Sequence, residues 1–322
     1  MLKLGTRKSA LAWAQSGQVA RAVGPDVALT GVTTEGDRLV DVPLRGPLAK
    51  GFFTEALESG LREGAFDLAV HSLKDLPVDG PADLVLGAIP VRAPAADLLL
   101  VREDAWADDE THPLPLHPGA RVGASSPRRQ ALLATLAPGV VPTFLRGNVT
   151  TRLERLARGD FEAIILAEAG VSRLGMALPA GIRVVRLKVE AWPPAPGQGA
   201  LAIQCRVSDA DVRSRLAALH DPRTAAAVTL ERALLARLGG GCSLPFGAWS
   251  GGEDWVVGLA LPGGPFRILR GTGPGAEAAV DALQAGQGGE AVTGRAWEPA
   301  FLSSILELPA VPAQPDPAEV SP

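Results

Sequence analysis

The chain has no tyrosine, two cysteines in 322 residues, and five lysines against 26 arginines. It also has no apolar run near the ~20 residues that a membrane-spanning helix needs. Each shortage excludes something. The two cysteines, Cys205 and Cys242, argue against a disulfide framework and fit a reducing, cytoplasmic setting. The opening MLKLGTRKSALAWAQ is too polar for a secretory leader. A net charge of −4 argues against a general nucleic-acid binder. No Walker A pattern is present, so a nucleoside triphosphate is not favoured. His112 and His117 in HPLPLH lack a third ligand, and no metal site is expected. What is there is an ordinary globular composition, 47% hydrophobic and 20% charged, long enough for two or three domains.

Strands and helices alternate, which predicts an α/β fold. LKLG reads as a strand, and Ser9 as the N-cap of the helix ALAWAQSGQVARAV. FTEALESGLREG reads as a second helix, and FDLAVHS as a buried strand of parallel type. A partial echo follows: RVGASSPRRQALLATL repeats the order of KLGTRKSALAWAQ, and GDFEAIILAEAG repeats GAFDLAVHSLKD. Two α/β domains of similar plan are therefore expected. From DPRTAAAVTLERALLARLGGGC the texture changes to a smaller α+β domain, with Asp221 as N-cap, Pro222 at the first helical position and Gly239 closing the helix.

Several helix starts carry arginines where cations oppose the helix dipole. Ser126, Pro127, Arg128 and Arg129 open one helix, Arg7 and Ser9 another, and Arg146 and Arg152 flank a third. These turns gather at the carboxyl edge of an open sheet, where a polyanion would meet them. The residues alone also allow plain solvated arginines, and the arginine excess is equally a matter of coding bias. Lys74 and Asp75 should emerge at the same edge, where a carboxylate can stabilise a cation formed during reaction. A plain Lys–Asp turn is the alternative. His71 and Cys205 read as core, and PGQGA at residues 196–200 as a tight turn.

Cys242 follows three glycines in ARLGGGCSLPFGAW. It sits after a helix C-terminus, where the dipole disfavours a thiolate, and no histidine lies near in sequence. That argues against a protease-type nucleophile. The residues leave open an idle cysteine or one that reacts once with a strong electrophile, the glycines giving clearance.

The motifs GTRKSALA, TEGDRLVDVPL, AKGFFTEALE, DLAVHSLKDLP, VGASSPRRQALL, LRGNVTTRL, AIILAEAGVSRLG, PGQGALAIQCR and LGGGCSLPFGA occur in this order over about residues 3 to 247. Together they resemble the porphobilinogen deaminase (hydroxymethylbilane synthase) family. The resemblance implies two α/β domains like those of type II periplasmic binding proteins, plus a small α+β domain. It implies a first domain at 1–92 and 190–208, a second at 93–189, a third at 209–310, and a disordered tail at 311–322. It implies a cytoplasmic, monomeric transferase that condenses four porphobilinogen molecules head to tail, releasing ammonia, and hands linear hydroxymethylbilane to uroporphyrinogen-III synthase. Neither nucleic acid nor membrane is an expected partner. The implied cofactor is a covalent dipyrromethane, thioether-linked to Cys242. Six linked rings carry ~12 carboxylates, which explains a demand for bidentate donors. The implied carboxylate contacts are Arg7, Ser9, Lys74, Ser125, Ser126, Arg128, Arg129, Arg146, Arg152 and Arg173. Asp75 is the implied catalytic residue, Gln198 and Phe53 lie near substrate, and Lys50 belongs to a lid that Arg45 supports. Two departures stand out: Ala124 where many members have threonine, and Gly46 where some have lysine.

Overall fold

The structure is a computed structural model of the whole chain. It describes residues 1–33, 54–109, 112–240, 244–290 and 295–300. Arg45, Gly46, Lys50, Phe53, Cys242 and the 311–322 tail lie outside the described residues.

Strand β1 (Leu2–Arg7) leads into α1 (Ala10–Val23), where the Ser9 hydroxyl accepts from Ala12 N as the sequence predicts. Strand β2 (Val27–Val32), helix α2 (Glu55–Arg62), β3 (Leu68–Ser72) and β4 (Leu84–Ala88) complete the first run. The second run is β5 (Asp97–Arg102), β6 (Arg121–Gly123), α3 (Pro127–Leu136), β7 (Val141–Thr143), α4 (Val149–Ala157), β8 (Ala163–Ala167), α5 (Glu168–Leu174) and β9 (Ile182–Leu187). The chain then returns through β10 (Leu201–Arg206) and α6 (Ala210–Ala217). Helix α7 (Pro222–Arg237), β11 (Phe246–Gly251), β12 (Asp254–Ala260), β13 (Phe266–Thr272), α8 (Ala276–Gln284) and β14 (Trp297–Pro299) follow.

The strands form three sheets, ordered β2-β1-β3-β10-β4, β14-β9-β5-β8-β6-β7 and β11-β12-β13. Read from the parallel edge, the first two share one plan: β2-β1-β3-β10-β4 and β7-β6-β8-β5-β9. Each has three parallel strands, then a fourth that runs antiparallel to both neighbours. The echoed motifs occupy matching places, β1 with β6 and β3 with β8. Strand β3 differs from its expected type on one side only. It is parallel to β1 but antiparallel to β10, so its continuous apolar run reflects burial on both faces rather than pairing sense. The fold is the α/β plan with a small antiparallel third sheet, covered by α7 and α8 through Leu234, Val280 and Leu283.

Two details of packing depart from the expected limits. Helix α6 inserts Val212 and Leu216, four residues apart on one face, into the core of the first sheet. Residues after 208 thus contribute to the core of the first sheet. Strand β14 pairs with β9 of the second sheet rather than with the third.

The chain crosses between the two large sheets near residues 89–96 and 188–200, and the crossings touch. Gly199 has φ +87°, and a Cβ there would lie 2.3 Å from Ala93 O. Ala93 N donates to Gly199 O at 3.2 Å. A side chain is excluded twice over, by φ and by contact. Gly199→Ala is expected to cost ~1–3 kcal/mol, read as a lowered midpoint in denaturant unfolding; an unchanged midpoint contradicts the account.

Candidate active site

The carboxyl ends of β1, β3, β6 and β8 face one another across a cleft of about 600 Å³ between the two large sheets. Such ends are where open α/β sheets bind ligands, because each strand there hands over to a helix whose N–H groups point outward. Arg7 and Ser9 come from the end of β1; Ser72, Lys74 and Asp75 from the end of β3; Ser125 and Arg129 from the end of β6. Arg146 and Arg152 flank the start of α4, and Arg173 rises from α5. Among the described lining residues are six cations, Arg7, Lys74, Arg129, Arg146, Arg152 and Arg173, and one carboxylate, Asp75.

Nine residues predicted from sequence therefore meet in one cleft. Three others do not line it. Ser126 sits at the N-cap of α3 but makes no side-chain cap bond. Arg128 points inward, bonding Pro193 O at 2.8 Å and Asp97 at 2.9 Å. Gln198 is 1% exposed and acts from behind the cleft wall. Its Nε2 donates to Ala95 O at 2.7 Å and to Asp97 Oδ1 at 2.8 Å, and its Oε1 accepts from Lys74 Nζ at 3.2 Å. For Arg128 and Gln198 the reason is Asp97, which the sequence reading missed. This carboxylate is fully buried and also accepts from Arg129 Nη2 at 2.6 Å and Trp192 Nε1 at 3.0 Å. The paired arginines at the start of α3 are gripped from within the protein. Only Arg129 also reaches the cleft wall.

Electrostatics sharpen the demand for an anion. Burial opposes ionisation of Asp97, but the guanidinium groups of Arg129 and Arg128 hold its carboxyl far below the ordinary range. One carboxylate cannot neutralise two arginines and the nearby Lys74. Burial lowers the Lys74 ammonium pKa, with Asp75 opposing the shift. Burial, then Arg129 and Arg146, pull Arg152 down to about 10. Burial alone pulls Arg173 to about 10. Arg173 Nη2 donates to Gly199 O at 2.7 Å, but its buried Nε finds no hydrogen-bond partner. Guanidinium groups remain charged at such values; the depression expresses their loss of water on burial, and at Arg152 also the neighbouring arginines.

The remaining sequence candidates fall as read. His71 is buried, with Nε2 3.1 Å from Gln204 Oε1, and burial lowers its pKa to about 4. Cys205 is core. Ala124 is fully buried, with its N–H on Thr143 O, so the departure there opens no gap in the cleft wall. No group of three or more metal-ligating side chains occurs among the described residues. No described helix is long and apolar enough to cross a membrane.

A two-lobed α/β protein with a strongly cationic cleft and one carboxylate in it belongs among proteins that handle polyanionic small molecules. Comparison narrows the class. The family model described as porphobilinogen deaminase, dipyromethane cofactor binding domain, matches residues 2–214, and that of the C-terminal domain matches 225–261. A porphobilinogen deaminase of Burkholderia orbicola is 42% identical over 295 residues, 89% of this chain and 86% of the relative. One of Roseiflexus castenholzii is 40% identical over 279 residues, 84% and 89% of the two chains. Among solved structures, an ancestral arginine-binding protein bound to arginine aligns with TM-score 0.38 and 12% identity over 74% of this chain and 93% of its own. The chain belongs to the porphobilinogen deaminase family, transferases of tetrapyrrole biosynthesis.

The residues fit the dipyrromethane cofactor that the family carries. Each of its rings bears an acetate and a propionate, and the cleft offers surplus cations with an orphaned buried Nε at Arg173.

Removing Asp97 tests the wall behind the cleft. Asp97→Ala leaves Arg128 and Arg129 buried without a counter-charge and is expected to cost about 3–5 kcal/mol in denaturant unfolding. Because its folded pKa is depressed, that contribution is present above the ordinary carboxylate range and fades only as pH falls below it. A neutral effect at pH 7 contradicts the assignment.

Proposed function

We propose that this chain condenses four porphobilinogen molecules on a dipyrromethane held by Cys242, with Asp75 as the catalytic residue. The observation that carries the reading is the ratio of six cations to one carboxylate in a single cleft. A mere anion-binding module explains the cations but has no use for an acid among them. An acyl-transfer enzyme needs a base beside its cysteine, which the sequence does not supply near Cys242.

When bound, the dipyrromethane supplies the free pyrrole carbon to which the first substrate unit is joined. Arg129, Arg146, Arg152 and Arg173 present fixed donors to the acetates and propionates, holding the rings without bonding the reacting carbons. Lys74, tied through Gln198 to the Asp97 cluster, does the same from the β3 side. Arg7 and Ser9 offer a guanidinium and a hydroxyl at the start of α1; the hydroxyl oxygen accepts from Ala12 N at 3.3 Å and can still donate. Ser125 adds a hydroxyl at the end of β6. Ser126 and Arg128 act from behind, Arg128 by sharing Asp97 with Arg129.

Asp75 faces the solvent of the cleft at the end of a short turn. Loss of ammonia from the substrate's aminomethyl carbon leaves positive charge spread to the pyrrole N–H. A carboxylate there stabilises that charge in a cavity otherwise hostile to cations. The new carbon–carbon bond forms with the proton still on the attacking carbon, and in this reading Asp75 takes it. Phe53, Lys50 and Arg45, outside the described residues, would cover the rings as a lid. A monomer in the cytoplasm passing its product to uroporphyrinogen-III synthase completes the proposal.

Two measurements test it. The intact mass of freshly purified protein is expected to exceed the polypeptide mass by one dipyrrole, and Cys242→Ser is expected to lose that increment. A bare mass on active protein contradicts the attachment. Asp75→Asn is expected to keep the attached dipyrrole while kcat falls about 100- to 10,000-fold; near-normal turnover contradicts the role.

A further inference from the structure

The turn that carries Asp75 cannot hold itself. It is a single 3-10 turn, Leu73–Asp75, followed by Leu76, Pro77 and Val78. Inside it Leu76 N donates to Leu73 O at 3.2 Å, and the carbonyls of Leu76, Pro77 and Val78 need partners from elsewhere. They are met by one side chain from another domain. Arg232 of α7 donates through Nη1 to Leu73 O at 3.2 Å and Leu76 O at 3.0 Å. Through Nη2 it donates to Pro77 O at 2.5 Å and Val78 O at 3.3 Å. One guanidinium fork thus fills a ring of four carbonyls that brackets Asp75, which no ammonium point charge can copy.

The residue before it is equally committed. Glu231, 1% exposed, binds Arg92 at 2.7 and 2.9 Å, Gly197 N at 2.7 Å and Ser250 N at 2.9 Å. Gly197 in turn packs on the Asp75 turn: a Cβ there would lie 3.2 Å from Leu73 Cγ and 3.4 Å from Lys74 N. So α7 fixes the turn from one side directly, and from the other through the crossing segment. The same helix ends at Arg237 and runs into Gly239 and Gly240, the approach to Cys242. Gly240 lies beside Val78, the last residue of the gripped turn.

We infer that Arg232 is a positioning residue: it sets Asp75 at a fixed distance from the glycine loop, so that the acid meets the pyrrole units held from that loop. The inference rests on the proposed roles of Asp75 and Cys242. Arg232 is not among the residues that line the cleft. It acts through the backbone of residues 73–78. Without it the carbonyls of Leu76, Pro77 and Val78 turn to water, Leu73 O keeps only Leu76 N, and the turn relaxes. A misplacement of about 1 Å at a reacting group costs up to about 100-fold in rate. The guanidinium donors on the opposite wall, Arg129, Arg146, Arg152 and Arg173, do not depend on this fork, so binding should outlast turnover.

The test compares Arg232→Lys, Arg232→Met and Arg232→Gly with the unsubstituted full-length protein. Intact mass is expected to show the dipyrrole attached in each. In Arg232→Lys and Arg232→Met, kcat for porphobilinogen is expected to fall about 10- to 100-fold with KM within about twofold. In Arg232→Gly, added methylguanidinium is expected to restore turnover saturably, whereas methylammonium does not. Unchanged kcat in the methionine variant overturns the inference. So does a loss of activity that merely follows loss of the dipyrrole or of folded protein in the lysine variant, since that marks a structural role. A bare mass on active unsubstituted protein would instead defeat the attachment at Cys242 while leaving the kcat and rescue measurements to judge Arg232.

Discussion

A single buried carboxylate organises this protein. Asp97 stands at the first residue of β5, where the chain has just crossed from the first large sheet to the second. It binds Arg128 and Arg129 from the start of α3, Trp192 from the return crossing, and Gln198 from the turn before β10. Every one of these lies on a segment that joins or faces the two domains. A buried ion pair is weak evidence of net stability, since desolvation offsets much of the attraction. Its value is in specificity. Arginines at a helix N-terminus would swing into solvent if left alone. Here they are pinned, with the edge of one guanidinium on the cleft wall.

Glu231 does for the third domain what Asp97 does for the first two. It reaches both crossings at once, through Arg92 and Gly197 N, and the edge of the third sheet through Ser250 N. Two acids, each nearly or wholly buried and each satisfied by four or more donors, therefore hold the places where the chain passes between domains. Satisfied networks of this kind rigidify, because any rotation of a domain breaks several charge-assisted bonds together. The crossing segments behave as a jointed frame rather than as loose linkers, and Gly199 is bare because the two crossings lie in contact.

The sequence displayed the elements of the cleft but not its frame. Ser9, Asp221, Pro127 and Pro222 announce helix starts through local chemistry, and each helix begins there. The parallel strands were legible as apolar runs. The repeat motifs paired the right strands, and both carry a strand glycine packed under a neighbouring side chain: a Cβ would lie 2.6 Å from Phe66 at Gly5 and 2.7 Å from Leu145 at Gly123. Asp97 was not legible: ADLLLV reads as any strand entry, and its partners lie 31 to 101 residues away. The inward partners of Arg128 and Gln198 were not legible for the same reason. A motif reports which residues gather at a site, not whether they face the ligand or its supports. The packing of helix α6 on the first sheet was not legible either, because two apolar residues four apart carry no address. Cys242 and the lid residues lie outside the described residues, so their roles still rest on the resemblance and the proposal built on it.

The charge balance of the cleft also explains why a protein would anchor an anionic group permanently. Six cations around one small cavity repel one another, and burial denies them water. The depressed pKa values of Arg152 and Arg173 express that cost. A freely exchanging anion would relieve it only while bound. A tethered one relieves it at all times, at an effective concentration set by the tether. On the proposed reading, the tether at Cys242 thus completes the electrostatics of the fold as well as starting the chain. Asp75 gains from the same arrangement. Cations that anchor carboxylates make the cleft unfavourable to the positive charge produced when ammonia leaves, and one carboxylate at that point supplies the missing complement. On the same reading its strength depends on position far more than on basicity, and the turn beneath it is gripped by a guanidinium from the helix that leads to the glycine loop.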